Sequence, residues 1–204
     1  MSPAPAELPL FPLQTVLFPD GLLELKVFEA RYLDLIAACL RDSTGFGVVC
    51  LRHGSEVRQT DQEVEFESVG TRAELTAVDS AQAGILQVRC RGAERFRLGP
   101  SRQQPDGLWL ARWTPIEPDP LVAPPSHLEG VAQGLADAIA ALESEGMRPF
   151  LPPHRLGDAG WVANRWCEML PIPMPAKQKL MELTDPVLRL EVVEDILRRK
   201  SAGS

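Results

Sequence analysis

Residues 117–125 read EPDPLVAPP, and the hydrophobic residues on either side follow different periods. Before this stretch apolar side chains mostly alternate with polar ones, the period of a half-buried strand. After it they recur every three to four residues, the period of an amphipathic helix. Pro118, Pro120, Pro124 and Pro125 exclude a helix across the junction and mark a linker. The chain reads as α+β, with a β-rich lobe at 1–117 followed by an all-helical lobe at 118–204.

The β-rich lobe opens on a nearly unbroken apolar run, LPLFPLQTVLFP (8–19). An export signal needs a basic flank, which MSPAPAE lacks, and a membrane span needs roughly 20 apolar residues. Pro9, Pro12 and Pro19 point instead to extended chain or an edge strand with short registers of pairing. After a turn at Asp20-Gly21, LLELKVF (22–28) alternates Leu23, Leu25 and Val27 against Glu24 and Lys26. FEARYLDLIAACLRD then places Phe28, Tyr32, Leu35, Ile36 and Cys39 on one helical face, and the helix ends near Asp42. Strand signals resume in GFGVVCLR (45–52) and EVEFES (63–68), with a bulge or bend expected at Gly70 before TRAELTAV. GILQVRCRG and ERFRLG read as two neighbouring strands separated at Gly92, and GLWLARWTPI closes the series. Several short strands with one polar side predict a small barrel or a strongly curled sheet.

In the helical lobe, Ser126 and Glu129 have the spacing of a capping box ahead of a helix whose stripe is Leu128, Val131, Leu135, Ile139 and Leu142. Gly146 stops it, and MRPFLPPHRLG is a proline-rich connector. DAGWVANRWCEML follows, with Trp161, Val162, Trp166, Met169 and Leu170 mostly inward, and LPIPMP breaks it. AKQKLMELT and PVLRLEVVEDILRRK complete the chain, the last with Leu190, Val193 and Leu197 inward and Arg198, Arg199 and Lys200 at its cation-favouring end.

Chemistry-bearing motifs are sparse. Cys39, Cys50, Cys90 and Cys167 form no CxxC pair and sit among apolar residues, which suits small buried hydrophobes in a reducing compartment, hence the cytoplasm. His53, His127 and His154 are isolated, without HExxH or zinc-spaced cysteines. Ser126, His127 and Asp137 are too close in sequence on one helix start to form a triad, and no GxSxG elbow occurs. No catalytic, cofactor-binding or metal-ligating residue is assigned, and no cofactor is expected. A net charge of −7 argues against a general binder of nucleic acid or anionic membrane.

Two binding surfaces remain. Arg89, Arg91, Arg95 and Arg97, with Arg102, could form a basic strip for phosphate backbones, or pair across strands with Glu63, Glu65, Glu67 or Glu94; pairing is the favoured reading. Met147, Phe150 and Leu151, in the proline-rich connector, are candidates for gripping apolar polypeptide segments, or they plug the seam between the lobes.

Three blocks resemble the N-terminal substrate-binding domain of the Lon protease family: LPLFPLQTVLFPDGLLELKVFEARY, then VGTRAEL with GAERFRL, then LPIPMPAKQKLMELTDPVLRLEVVEDIL. Together they run from about residue 8 to 197. Asp20 is an insertion relative to the usual pattern, and Lys26 stands where a His is common. The resemblance implies a PUA-like β pseudo-barrel lobe with one early helix, followed by an all-helical lobe. It also implies a polypeptide-binding role, with unfolded or partly folded polypeptides as partners and a protease in the same setting. The chain has no GxxxxGK[ST] loop for an ATPase module. The expectation is a stand-alone, non-enzymatic polypeptide-binding module, with an RNA-binding PUA-like module as the alternative.

Overall fold

The computed structural model describes residues 7–53 and 64–202. The chain divides into two compact units, Met1–Glu117 and Pro118–Ser204: a mostly β unit and a unit of helices.

The first unit contains β1 (Leu8–Leu13), β2 (Leu22–Val27), α1 (Ala30–Asp42), β3 (Phe46–His53), β4 (Glu65–Phe66), β5 (Val69–Gln82), β6 (Ile85–Gln103) and β7 (Trp109–Pro115). The strands pair in the order β1-β7-β6-β5-β3, and β3 pairs back to β1, so five strands close a ring while β2 and β4 attach to it from β6 and β3. Closure pairs each ring strand on both sides over part of its length.

β1 is not the edge strand its prolines suggested. Leu8 to Leu10 pair antiparallel with β7, and Leu10 to Leu13 pair parallel with β3. Each side uses only three or four residues, so the two prolines within β1 interrupt little of either ladder. Leu8 and Leu10 belong to one buried cluster with Val49, Phe96 and Ala111, whereas Phe11 and Leu13 belong to another with Tyr32, Ile36 and Phe46. Both faces of β1 are covered, which explains the unbroken apolar run.

The expected pair of strands across Gly92 is one continuous strand, β6. Its first half lies between β5 and β2; β7 pairs with it from Phe96 to Gln103, and β5 reaches only to Arg97. Gly92 is required for close approach: a Cβ there would lie 2.2 Å from the carbonyl oxygen of Phe18. Gly70 plays the same part against the carbonyl of Val48, at 2.4 Å, and the register shift falls beyond it, between Thr71 and Ala73. Asp20 takes the left-handed conformation, with φ 59°, and its N–H bonds to the Gly92 carbonyl at 2.7 Å.

Phe28 departs from the expected helical face. Glu29 is extended (φ −78°, ψ 135°) and caps α1, which therefore starts at Ala30 and buries Arg31, Tyr32, Leu35, Ile36 and Cys39. Phe28 lies outside the helix and is 54% exposed.

The second unit holds α2 (Glu129–Ser144), α3 (Ala159–Met169), α4 (Met174–Glu182) and α5 (Pro186–Ala202). The capping box does not form. Ser126–Leu128 is a 3-10 turn, α2 is capped at Leu128, and neither start uses a side-chain cap. The Leu128 N–H is satisfied by the Pro125 carbonyl at 2.8 Å, so the backbone serves donors that a serine hydroxyl would otherwise take. Leu128, Val131, Leu135 and Ile139 are buried as the stripe predicts. Asp158 caps α3, accepting from the N–H groups of Gly160 and Trp161. Pro175 lies in the first turn of α4, where a missing N–H costs nothing, so the helix begins inside the expected breaker.

Candidate functional site

In the β unit, β2 and the start of α1 frame a groove of about 250 Å³. Its lining is mostly apolar: Phe11 and Leu13 from β1, Leu25 and Val27 from β2, and Tyr32 from α1, with Glu24, Lys26, Phe28 and Glu29 around them. The alternation of LLELKV directs Leu25 and Val27 toward the core and leaves Glu24 and Lys26 exposed.

The groove is held by a rigid stack. The rings of Phe11 and Tyr32 lie 3.9 Å apart and within 12° of parallel, and Phe46 is tilted against Phe11 at 5.7 Å. The guanidinium of Arg31 sits 4.5 Å above the Tyr32 ring, donates to the Gly107 carbonyl at 2.8 Å and meets Glu29 at 3.0 Å. Phe28 presents an exposed ring beside this preorganised wall. Large rigid aromatic surface is the kind of contact that contributes most to binding at small conformational cost.

A second, wider groove of about 600 Å³ lies in the helical unit, lined by Gly130, Val131, Gly134, Trp166, Glu194, Leu197 and Arg198. Trp166 donates its indole N–H to the Val131 carbonyl at 3.0 Å, and Arg198 and Glu194 pair at 2.7 Å. The expectation of Trp166 inside the core is met only in part, since one side of its ring faces this groove.

The connector residues do not form one exposed patch. Met147 is exposed and Leu151 half-buried, but Phe150 is buried against Trp161, at 6.2 Å in an edge-on pair, with the Arg165 guanidinium 5.5 Å from its ring. Sequence reasoning missed Arg165 and Arg189, both fully buried. Their positions on helices that otherwise look amphipathic gave no signal of it.

The four arginines of β6 do not form a strip either. Arg89 pairs with Glu24 at 2.8 Å, and Arg91 pairs with Glu74 at 2.9 Å and Asp20 at 3.7 Å. Arg95 is buried and Arg97 exposed. Between Ala73 and Thr71 of β5 the partner strand advances from Gly92 to Arg95, one residue extra, and that slip turns Arg95 out of line with Arg91. Cross-strand pairing is the observed use of Arg89 and Arg91, although with Glu24, Glu74 and Asp20 as partners. Of the expected acids, Glu94 pairs with Arg72 at 2.6 Å and Glu67 with Arg52 at 3.7 Å, while Glu63 lies outside the described residues. The Arg91 and Arg72 hydrogen bonds hold the Glu74 carboxyl below the usual range, and Arg72 does the same for Glu94.

The four cysteines are free and buried. Burial pushes the thiol of Cys50 up to about 11 and those of Cys90 and Cys167 up to about 12, so none is poised as a nucleophile. Among the described residues no group of three His, Cys, Asp or Glu side chains is placed to hold a metal ion. No helix among them is long and apolar enough to cross a membrane.

A mostly β unit followed by a unit of helices, with a groove in each, defines a domain of mixed α+β class. The family model of the ATP-dependent protease La (LON) substrate-binding domain matches residues 7–199, and the chain belongs to that family. It is 27% identical over 203 residues to a Lon protease of Anaeromyxobacter dehalogenans (strain 2CP-C), and 26% identical over 203 residues to Lon protease 2 of Myxococcus xanthus. Both matches cover 96% of this chain but only 23% and 24% of the relatives, so the chain spans about a quarter of their length. Among solved structures it resembles a Lon N-terminal domain protein from Xanthomonas campestris, with a TM-score of 0.74 and 30% identity over 93% of this chain and 98% of that one. The N-terminal domain of the Mycobacterium avium complex Lon protease shares the fold, with a TM-score of 0.60 at 17% identity, over 93% of this chain and 97% of that one.

Proposed function

We propose that this chain is a non-catalytic polypeptide-binding module that takes apolar segments of unfolded or partly folded proteins. The substrates of a protease are polypeptides, and the family is described as the substrate-binding part of one. The observation that carries the reading is the groove at β2: a preorganised apolar wall of Phe11, Tyr32 and Leu25 beside an exposed Phe28. A large aromatic ring left in water next to a packed apolar groove is what a surface looks like when burial is reserved for a partner. Of the connector candidates Phe150 is occupied by its own packing, which leaves the exposed Met147 and the half-buried Leu151. Four unpaired, buried thiols support a reducing compartment, and the cytoplasm is where we place the protein.

The test is association with a labelled, permanently unfolded protein such as reduced and carboxymethylated α-lactalbumin, followed by fluorescence anisotropy at moderate salt. Binding should be nearly insensitive to salt and should weaken about fivefold or more in Phe28→Ser, a loss of roughly 1 kcal/mol. No association at high micromolar protein would overturn the reading.

A further inference from the structure

β2 pairs with β6 on one side, and among the described residues its other side has no partner strand. Which groups it leaves unused follows from the turn before it. The Gly92 N–H donates to the Gly21 carbonyl at 2.9 Å and the Gly92 carbonyl accepts from the Asp20 N–H at 2.7 Å, so this position is a hydrogen-bonded one. Antiparallel pairs alternate between bonded and non-bonded. The next pair, Leu22 with Arg91, is therefore non-bonded. Leu23, Leu25 and Val27 exchange bonds with Cys90, Val88 and Leu86, while Glu24 and Lys26 turn their N–H and C=O groups away from the ring.

Two independent features meet at this edge. A row of alternating donors and acceptors at strand spacing is matched by another extended backbone, and the apolar groove of Phe11, Leu25 and Tyr32 runs beside the same residues. The charges add a preference. Glu24 is held by Arg89 at 2.8 Å and Glu29 by Arg31 at 3.0 Å, whereas Lys26 is exposed and has no ion pair among the described residues. The unmatched charge at the edge is positive, and its complement is a carboxylate.

We propose that a polypeptide segment binds as an added strand on the open edge of β2, with alternate apolar side chains in the groove and an acidic residue opposite Lys26. This rests on the polypeptide-binding reading and specifies its mode. The recognised segment then has the pattern apolar, Asp or Glu, apolar, in extended conformation.

The probe is a fluorescein-labelled ten-residue peptide that alternates leucine with threonine and carries one central glutamate, titrated with the full chain. Three results are expected. N-methylation of the alternate amides that face β2 weakens binding about tenfold or more, the loss of roughly 1.4 kcal/mol of backbone bonding. Amide exchange at Glu24 and Lys26 slows in the complex. Lys26→Glu weakens the glutamate peptide and strengthens its lysine counterpart. Lys26→Pro removes one outward donor and should also abolish most of the binding. Because a proline perturbs the strand that carries it, the N-methylated peptide makes the same test on unaltered protein. Equal binding of the methylated and plain peptides, or unfolded α-lactalbumin bound unchanged by both Lys26 variants, overturns strand addition and leaves the binding module standing. Failure of both peptide and unfolded protein to bind overturns the module, and strand addition with it.

Discussion

Replacing Arg189 by Met should cost the helical unit about 4 kcal/mol. Arg189 is buried in α5 with five acceptors around its guanidinium. One nitrogen, Nη1, donates to Asp119 at 2.7 Å and to Asn164 at 3.0 Å; Nε donates to the Leu180 carbonyl at 2.9 Å; and Nη2 donates to Asp119 at 3.3 Å and to the Leu183 carbonyl. The two carbonyls lie at the C-terminal end of α4, where no intrahelical N–H reaches them. Met keeps most of the volume but takes the guanidinium away from the Asp119 carboxylate, whose side chain is 15% exposed, and from both carbonyls. Breaking a buried ion pair from one side costs roughly 3–5 kcal/mol, and an orphaned carbonyl about 1–3, less where water can enter. These terms overlap, which is why about 4 rather than their sum is expected. Urea unfolding followed at 222 nm reports mainly on this unit, which holds α2 through α5. Adding Asp119→Asn to Arg189→Met should recover at least about 1 kcal/mol, since the carboxylate charge that faced the guanidinium is then gone. A loss under about 1 kcal/mol, or additive single and double variants, would refute the claim that Arg189 organises these helices.

Three further outcomes follow from single positions. Phe28→Ala should change stability by less than about 1 kcal/mol, because the ring is 54% exposed; a loss of 3 kcal/mol in urea would mean that it is buried after all. Gly92→Ala should cost at least about 2–3 kcal/mol, since its Cβ would meet the Phe18 carbonyl at 2.2 Å, backbone that must move; an unchanged melting temperature would exclude that approach. The Glu74 and Glu94 carboxyls sit below the usual value of 4.5 in the folded protein, held down by Arg91 and Arg72 respectively. Depressed carboxyls contribute stability that is fully present above 4.5 and is lost as pH falls from there through the lowered, folded-state value, so Glu94→Gln should lose less melting temperature than the parent between about pH 6 and pH 3. Parallel curves would sink the ion-pair account.

Whatever depended on local period was legible in the sequence. The strand-to-helix switch, the stripe of α2 and the end of α1 near Asp42, with Ser43 left-handed at φ 52°, all follow from spacing and breakers. What failed depended on distant partners. The prolines of β1 argued for an edge because local rules do not show that two strands share it in halves. Arg95 lost its place in a basic strip through one extra residue opposite β5, a slip written in the pairing rather than in the alternation of β6.

Phe28 joins these cases to the site. Counted as the first residue of a helix it belongs to the core; counted as the end of β2 it shares the outward parity of Leu22, Glu24 and Lys26. The extended backbone of Glu29 decides for the strand, and with that choice a residue that the helical period would bury becomes the exposed ring beside the groove. The two periods overlap at one position, and burial within the domain and availability to a partner are alternatives there. A two-residue earlier start of α1 would remove the exposed ring and free the outer edge of β2 from its aromatic neighbour. The proposed polypeptide-binding surface therefore depends on where α1 begins, and a Glu29 variant that extends the helix should weaken binding without loss of fold.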